Sequence, residues 1–422
     1  MPPLAPSSPV SLSHFASGLT GETAFDVLAV AQKLKAKGKD IVLLNIGDSP
    51  FPTPKHARAG GIEAIDAGET HYCASLGLPE FRETIAKNYS REFGVPITAD
   101  HVVVAHGAKP FEQFFCEAVL DPGDAVLIFS PHFPTYEPNI QRRGAHAVFS
   151  VLKQENEFRP NLDDVAKFVQ KTPKAKAIFL NSPHNPTGGV ATASDLKQLA
   201  DIVRGKNIAV FCDEPYCHMV WKGRHDTLLK EPGMLDQTMA AYTFSKSYSM
   251  SGWRLGYAVT SPALIDIIGK MINTSLSCVP PITQRAGQAA LEKDQAERDE
   301  VMAKFQKKVE LLVAELRKIP DVKVLMPVGT FYVFPDVAAI CRKLGITSHG
   351  LAMYLLEGAD DKFGVSCLGG ECFGEAGRGF LRFSCAEPDD RLVQAVKFFG
   401  EAVTRSERVR RYLESNPKYA MK

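Results

Sequence analysis

The sequence predicts an α/β protein with a mainly parallel mixed sheet in a large domain and a smaller α/β domain after it. Between about residues 100 and 260, short apolar runs without polar alternation recur, as in strands buried on both faces. Helical periods separate these runs, which is typical of α/β proteins. Beyond residue 320 the pattern changes to shorter strands and helices. The predicted strands of the sheet are Val102 to Ala105, Ala125 to Phe129, Ala177 to Leu180, Ile208 to Cys212, Ala241 to Phe244 and Leu255 to Val259.

Two helices between these strands have clear boundaries. The first begins near Pro110 and carries an apolar stripe of phenylalanines, and the second is predicted to start with Ser194 as its cap and to stop at Gly205. Both stripes are expected to cover the sheet. In the smaller domain we predict strands at Val322 to Met326, Phe331 to Phe334 and Phe380 to Ser384, and a helix at Leu392 to Val403.

Changes in composition and pattern predict the division of the chain. A Pro- and Ser-rich start predicts an arm, and a long helical stretch between Pro281 and Pro320 predicts an interdomain helix. The predicted parts are an N-terminal arm (1–20), a segment that packs with the small domain (21–50), the large domain (51–285), the interdomain helix (286–318) and the small C-terminal domain (319–422).

Composition excludes several classes of protein. Of the 422 residues, 45% are hydrophobic, and 49 Lys and Arg balance 48 Asp and Glu, so no field of one sign is available to bind nucleic acid. No apolar run approaches the ~18 residues of a membrane-spanning helix. The nine cysteines lack zinc-site spacing and predict reduced thiols. We therefore expect a cytoplasmic protein without a metal site.

The segment from Thr243 to Tyr257 carries the strongest chemical pattern. It reads T-F-S-K-S-Y-S-M-S-G-W-R-L-G-Y and begins where a buried strand ends. Lys246 is therefore expected in the crevice where α/β sheets bind ligands. The hydroxyls of Thr243 and Ser245 and the guanidinium of Arg254 would surround a phosphate there.

Two more motifs follow neighbouring strands. Residues 181–189 read N-S-P-H-N-P-T-G-G, and residues 212–216 read C-D-E-P-Y. With the lysine segment, in this order and spacing, they resemble the cofactor motifs of the fold-type I pyridoxal-phosphate (PLP) aminotransferases, class I/II. The resemblance covers roughly residues 40 to 390 and implies a PLP-dependent aminotransferase with the fold of that family.

The resemblance assigns the catalytic residues. Lys246 would hold PLP and then act as the base at the substrate Cα, while Asn185 and Tyr216 would bind the ring hydroxyl. Asp213 would pair with the ring nitrogen, and a carboxylate there keeps the ring protonated, as an electron sink requires. The predicted catalytic residues are Lys246, Asp213 and Tyr216.

The same resemblance assigns the phosphate and ring contacts. The segment H-G-A-K at 106–109 precedes the phenylalanine-striped helix, so its N–H groups can receive the phosphate. Phe133, in P-H-F-P-T-Y, would stack on the ring, although a core position is the other interpretation. The predicted cofactor contacts are Gly107, Ala108, Lys109, Phe133, Asn185, Asp213, Tyr216, Thr243, Ser245, Lys246, Arg254 and Tyr72.

Substrate and subunit contacts follow from three further segments. N-I-G-D-S-P-F at 45–51 resembles L-x-x-G-D-P-D-F, with Ser49-Pro50 in place of Pro-Asp, and L-G-G-E-C-F-G at 368–374 has Gly369 where the family has proline. G-F-L-R-F-S at 379–384 resembles the strand whose arginine binds the substrate α-carboxylate with two parallel donors. Tyr72 matches a tyrosine that reaches the neighbouring subunit's phosphate, which implies a homodimer with shared sites. The predicted substrate contacts are Gly47, Asn185, Arg382 and Lys109.

Lys109 bears on the choice of amino donor. In the aspartate-type subgroup a lysine at this position binds the distal carboxylate, and a solvent-exposed lysine beside the phosphate is the other interpretation. We predict aspartate as donor and 2-oxoglutarate as acceptor. The alternatives are an aminotransferase for aromatic or other neutral amino acids, and a PLP lyase such as an aminocyclopropane-carboxylate synthase or a carbon-sulfur lyase, because these enzymes share the cofactor motifs. A dehydrogenase is not expected, since no G-x-G-x-x-G follows a strand.

Overall fold

A computed structural model of the chain describes residues 10–421. Residues 1–9 of the predicted arm lie outside the described residues. The strands within this range are β1 (Asp40–Leu43), β2 (Val102–Ala105), β3 (Ala125–Ser130), β4 (His146–Val151), β5 (Ala175–Asn181), β6 (Ala209–Asp213), β7 (Thr238–Thr243), β8 (Gly256–Val259), β9 (Tyr332–Val333), β10 (Phe363–Ser366), β11 (Leu368–Gly369) and β12 (Leu381–Ser384).

Helices cover both faces of the main sheet and join the two parts of the chain. Short 3₁₀ turns and one π-helix, Tyr354–Gly358, complete the secondary structure of residues 10–421. The α-helices are α1 (His14–Gly18), α2 (Thr23–Ala36), α3 (Lys55–Asp66), α4 (Pro79–Phe93), α5 (Lys109–Val119), α6 (Tyr136–Arg142), α7 (Leu162–Lys171), α8 (Ala193–Val203), α9 (Phe244–Ser247), α10 (Pro262–Ser275), α11 (Pro281–Lys293), α12 (Gln295–Leu316), α13 (Ala338–Leu344), α14 (Ser348–Met353), α15 (Asp389–Ala402) and α16 (Ser406–Ser415).

A seven-stranded sheet confirms the predicted α/β class. Its strand order is β2-β8-β7-β6-β5-β3-β4. Every neighbouring pair is parallel except the two pairs that β8 forms. All residues of β2, β3 and β8 are buried, which explains the absence of polar alternation in the sequence.

The two helices that the sequence delimits lie on opposite faces of this sheet, in separate apolar cores. Phe115 of α5 lies 5.6 Å from the ring of Phe179 and 5.3 Å from that of Phe211. The cap of α8 is Thr192 and not the predicted Ser194. The Thr192 hydroxyl and the carboxylate of the third helical residue cap each other's backbone N–H groups reciprocally.

The carboxyl ends of three adjacent parallel strands meet at one edge of the sheet. Asn181, the last residue of β5, is in register with Asp213, the last residue of β6. Thr243 ends the neighbouring strand β7, and α9 follows it directly with Lys246. Ligands bind outside such strand ends in open α/β sheets.

The C-terminal part contains a three-stranded antiparallel sheet in the order β11-β12-β9. A second, two-stranded sheet pairs β1 in parallel with β10. Residues 40–43 therefore form sheet hydrogen bonds with residues 363–366, which supports the proposal that the segment over 21–50 packs with the small domain. The predicted strand at Val322 to Met326 is absent, and only an isolated bridge joins Lys323 to Asp336.

The helical stretch predicted over 286–318 is broken at Asp294, which separates α11 from α12. The Asp294 carboxylate is buried and accepts a hydrogen bond from the backbone N–H of Ala57 at 2.9 Å. Its other oxygen lies 2.6 Å from His56 Nδ1. This carboxylate thus serves the first turn of α3, whose N–H groups have no intrahelical partner. The break between α11 and α12 thus leaves the Asp294 carboxylate as a cap for α3.

Within residues 10–421, no helix combines the length and apolar character needed to cross a membrane.

Candidate active site

A cavity of about 510 Å³ lies at the carboxyl edge of the main sheet, between the sheet and the C-terminal part. Twelve of the fourteen predicted site residues line it, so the fold brings together positions that are up to 335 residues apart in the chain. Gly107 and Tyr72 are the other two. The twelve are Gly47, Ala108, Lys109, Phe133, Asn185, Asp213, Tyr216, Thr243, Ser245, Lys246, Arg254 and Arg382.

A larger cavity of about 850 Å³ beside α16 is lined by none of the predicted site residues. Its arginines are occupied by neighbouring groups: Arg408 pairs with Asp361 at 2.5 Å, and Arg411 lies 3.6 Å from Glu407. The cavity at the sheet edge is therefore the better candidate for chemistry.

One end of the cavity is built to hold an anion. The N-terminus of α5 presents free N–H groups there, beside the hydroxyl of Ser245 and the guanidinium of Arg254. Arg254 is fixed by hydrogen bonds to the carbonyls of Ser251 at 2.7 Å and His106 at 3.0 Å. Gly107 has φ +98°, and a Cβ there would lie 2.7 Å from an Arg254 nitrogen, so a side chain at this position would displace the arginine.

Thr243 lines the anion-binding end of the cavity and also stabilises the helix that follows it. Its hydroxyl accepts a hydrogen bond from the Ser245 backbone N–H at 3.2 Å and contacts the Ser245 hydroxyl at 2.9 Å. It thereby caps α9, the short helix that carries Lys246.

Lys246 is half-buried, with its amine inside the cavity. The Nζ atom contacts the carbonyl of Gly47 and lies 5.9 Å from the centroid of the Phe331 ring. Behind it, Ser247 contacts His218 at 2.8 Å, and His218 contacts Glu92 at 2.7 Å. This partly buried network connects the helix of Lys246 to α4.

Asp213 is a buried carboxylate at the end of β6, 6% exposed. Its Oδ2 atom accepts a hydrogen bond from the Tyr136 hydroxyl at 2.5 Å, and its carbonyl accepts one from the Asn181 amide at 2.8 Å. Burial raises the pKa of Asp213 to about 6, while the Tyr136 hydrogen bond and the positive charge of Lys109 oppose that rise. The site therefore favours a cationic ligand group at this carboxylate.

Arg382 is held rigidly but keeps a donor available. Its two terminal nitrogens donate to Asn185 Oδ1 at 3.0 Å and to the carbonyl of Asn45 at 2.6 Å. Its guanidinium lies 4.3 Å from the ring centroid of Tyr332 and 4.9 Å from that of Phe373. The Nε atom is buried and has no hydrogen-bond partner among the described residues, as expected of a donor that awaits a ligand.

The remaining cavity side chains form the far wall. The ring of Phe133 lies 5.3 Å from Lys109 Nζ, and Lys109 forms an ion pair with Glu22. The Tyr216 hydroxyl lies 3.2 Å from that of Tyr332. Burial raises the pKa of Tyr216 well above its usual range, because the phenolate would be desolvated.

The structure adds residues to the site that sequence reasoning missed. Tyr136, three residues after Phe133 in the same P-H-F-P-T-Y segment, contacts Asp213, and that spacing was an available signal. Tyr332 lies in the predicted strand Phe331 to Phe334, which no motif connected with the site. Glu22 and Glu112 had no distinguishing motif, yet both line the cavity.

Tyr72 lies outside this cavity and is 89% exposed in the single chain. No residue of the described chain buries it. Its predicted contact with a cofactor phosphate therefore requires a second subunit.

The two departures from the family pattern have local explanations. The Ser49 hydroxyl lies 2.7 Å from the Ser249 hydroxyl and ties its loop to the segment after Lys246. At Gly369, a Cβ would lie 2.3 Å from the Cα of His349, so no side chain fits there.

The donor set of the cavity fits PLP. A helix N-terminus, a serine and an arginine suit a phosphate, and a buried carboxylate suits a protonated ring nitrogen. The unpartnered Arg382 Nε suits a substrate carboxylate. In the described range of 10–421, no group of three or more His, Cys, Asp or Glu side chains is arranged to hold a metal ion.

Comparison with known proteins identifies the family. The sequence model of aminotransferase class I and II matches residues 39–397, most of the chain. A "Probable aspartate/prephenate aminotransferase" of Aquifex aeolicus is 34% identical over 93% of this chain and 98% of its own length. An aspartate aminotransferase of Pyrococcus horikoshii is 31% identical over 87% of this chain and 92% of its own length.

Solved structures agree with the sequence relatives. The aspartate aminotransferase of Thermus thermophilus with maleate superposes with a TM-score of 0.87 at 29% identity, covering 93% of this chain and all of the other. The predicted fold type is thereby confirmed. By sequence and by fold, the chain belongs to the class I and II aminotransferase family.

Proposed function

We propose that this aminotransferase uses PLP and takes aspartate as amino donor and 2-oxoglutarate as acceptor. The observation that carries the proposal is the position of three cationic side chains, Lys246, Arg382 and Lys109, around one cavity. An amine is needed to hold PLP, and two further cations match the two carboxylates of each substrate.

The proposed cofactor contacts follow from the donors around the cavity. The N-terminus of α5, Ser245 and Arg254 would hold the phosphate. Phe133 would cover one face of the ring, and Tyr216 and Asn185 would hydrogen-bond its hydroxyl. Asp213 would face the ring nitrogen. PLP bound in this way supplies an electron-accepting ring that stabilises negative charge at the substrate Cα.

The chain's own residues would then control the proton at Cα. With PLP bound, the Lys246 amine would accept the Cα proton and later return it, and so would act as the proton carrier of the reaction. Arg382 would fix the α-carboxylate and so orient the Cα–H bond toward Lys246. Asp213 would stay ionised and keep the ring nitrogen protonated.

We further propose that the functional unit is a homodimer in which Tyr72 of each subunit reaches the phosphate site of the other. The exposure of Tyr72 outside its own cavity supports this arrangement. Arg254, also exposed in the single chain, borders the same site.

Aspartate should convert the visible absorption of the PLP-loaded protein to the pyridoxamine form, and 2-oxoglutarate should restore it, because one cavity serves both half-reactions. Absorption spectra after additions of aspartate, phenylalanine and alanine test the donor. A response to phenylalanine without one to aspartate would contradict the aspartate assignment. Ammonia release from cysteine without pyridoxamine formation would favour the carbon-sulfur lyase alternative.

The variant Asp213→Asn should separate stability from catalysis. Because burial raises the pKa of Asp213 to about 6, its ionised form costs the apoprotein stability above pH 6, and that cost declines as pH falls toward 4. At pH 7.5 the variant apoprotein should therefore gain about 1 to 3 kcal/mol in free energy of unfolding. Turnover should fall about 100-fold or more, because a neutral amide does not hold the ring nitrogen protonated.

Denaturant unfolding of the apoproteins and steady-state transamination measure these two effects. Asp266→Asn, which removes an exposed aspartate on α10, is the control and should change neither quantity. A D213N apoprotein less stable than wild type at pH 7.5 would refute the electrostatic argument.

Mixed dimers test the shared site. Lys246→Ala should be inactive, and Tyr72→Ala should be impaired at limiting PLP, since it loses a phosphate contact. If Tyr72 acts across the subunit boundary, a heterodimer of the two variants has one intact site, and random pairing restores roughly one quarter of wild-type activity. Subunit exchange followed by assay at limiting PLP measures this. A mixture no more active than the sum of its parts would place Tyr72 in its own subunit's site or outside any site.

A further inference from the structure

We propose that Glu22 competes with the substrate's distal carboxylate for Lys109. Glu22 would thereby set the relative affinity of the site for dicarboxylate substrates and for substrates with uncharged side chains. This inference rests on the proposed function, in which Lys109 binds that carboxylate. It concerns a residue that no motif in the sequence distinguishes.

Glu22 reaches Lys109 from the N-terminal segment. It immediately precedes α2, and its carboxylate forms an ion pair with Lys109 Nζ. The Glu22 side chain is 14% exposed and that of Lys109 is 46% exposed, so the carboxylate lies in the protein wall and the amine is partly open to solvent. Both residues line the 510 Å³ cavity, where Phe133 packs beside the lysine.

Within residues 10–421, the ion-pair partner of Lys109 is Glu22. Glu112, also on α5, is 3% exposed and accepts a hydrogen bond from the Thr135 hydroxyl at 2.5 Å. Burial and the negative charge of Asp213 raise the pKa of Glu112 well above its usual range. Among the described residues, Glu22 and not Glu112 is the carboxylate in ion-pair contact with Lys109.

The other cations of the cavity have uncharged partners. Lys246 contacts a carbonyl, and Arg254 and Arg382 are hydrogen-bonded to carbonyl and amide oxygens. Among the described residues that line the cavity, these three are held by neutral groups and Lys109 is held by a carboxylate. A substrate carboxylate at Lys109 would therefore compete with one already present.

The pair also separates two cavities. A second cavity of about 620 Å³ lies on the other side and shares Glu22, Lys109 and Arg254 with the first. The loop before Glu22, residues 19–21, is exposed. A displaced Glu22 carboxylate can consequently move into the second cavity and toward solvent, so breaking the Glu22–Lys109 ion pair costs little free energy.

The proposed substrates, aspartate and 2-oxoglutarate, both carry a distal carboxylate, so Glu22 bears on which other side chains the pocket admits. When the bound side chain is uncharged, Glu22 keeps Lys109 paired, and Phe25 and Phe133 supply an apolar wall. When it is a carboxylate, that group takes the place of Glu22. Glu22 thus lowers the affinity of the site for dicarboxylate substrates and allows substrates with uncharged side chains to bind.

Binding of two probe ligands to the PLP-loaded protein tests the inference. Maleate represents dicarboxylates and 3-phenylpropanoate represents monocarboxylates, and both are titrated by the change in visible absorption. Glu22→Gln keeps the size of the side chain and removes the charge. The ratio of maleate affinity to 3-phenylpropanoate affinity should rise roughly three- to tenfold, as expected for loss of one partly exposed competing ion pair.

Asp26→Asn is the matched control, since it removes one negative charge from the same helix at an exposed position away from the cavity. It should leave the ratio unchanged. The effect of E22Q should also vanish in a Lys109→Ala background, because Glu22 acts only through that lysine.

The outcomes separate this inference from the proposed function. If K109A weakens maleate binding but E22Q leaves the affinity ratio at the wild-type value, the competition is refuted and the aspartate assignment stands. If K109A binds maleate as wild type does, the distal-carboxylate role of Lys109 fails, and the inference fails with it. A rise in the ratio that persists in the K109A background would also overturn the competition.

Discussion

The buried carboxylate of Asp213 is the constraint on which the site depends. It ends a central strand of the sheet and is 6% exposed, and its Oδ2 atom accepts a short hydrogen bond from the Tyr136 hydroxyl and a long one, 3.5 Å, from the Asn181 amide. Burial without a full complement of donors keeps its pKa near 6, so its charge is costly until a cation arrives. The parallel register then places Asn181 on one side of it and the strand that leads to Lys246 on the other. The cavity therefore contains a buried negative charge that a cationic ligand group would stabilise.

The residues proposed to bind substrate come from distant parts of the chain. Arg382 belongs to the C-terminal sheet, yet it is held by Asn185, which follows β5 of the main sheet, and by the carbonyl of Asn45 near the N-terminus. The pairing of β1 with β10 fixes the N-terminal segment to the C-terminal part. A carboxylate bound at Arg382 would therefore stabilise the relative positions of all three regions. Glu22, at the start of α2, links the same N-terminal segment to the opposite wall of the cavity.

The parts of the fold that sequence predicts are those with a strong local signal. Strands buried on both faces gave unbroken apolar runs, and residues that follow them, such as Asp213 and Lys246, were placed at the sheet edge by topology alone. The break at Asp294 depends on a cap for a helix more than 200 residues earlier, so no local pattern contains it. The Glu22–Lys109 pair is a similar long-range contact, between a loop end and a helix start. Such contacts arise from tertiary packing, which periodicity does not encode.

The most direct test of the account is chemical capture of the cofactor on its lysine. Purified protein loaded with PLP is reduced with borohydride, digested, and analysed by mass spectrometry for the peptide that carries the pyridoxyl group. The account predicts one dominant labelled peptide containing Lys246, with labelling prevented when aspartate is added before reduction. Label on Lys109 or on scattered surface lysines, or no label at all, would contradict it.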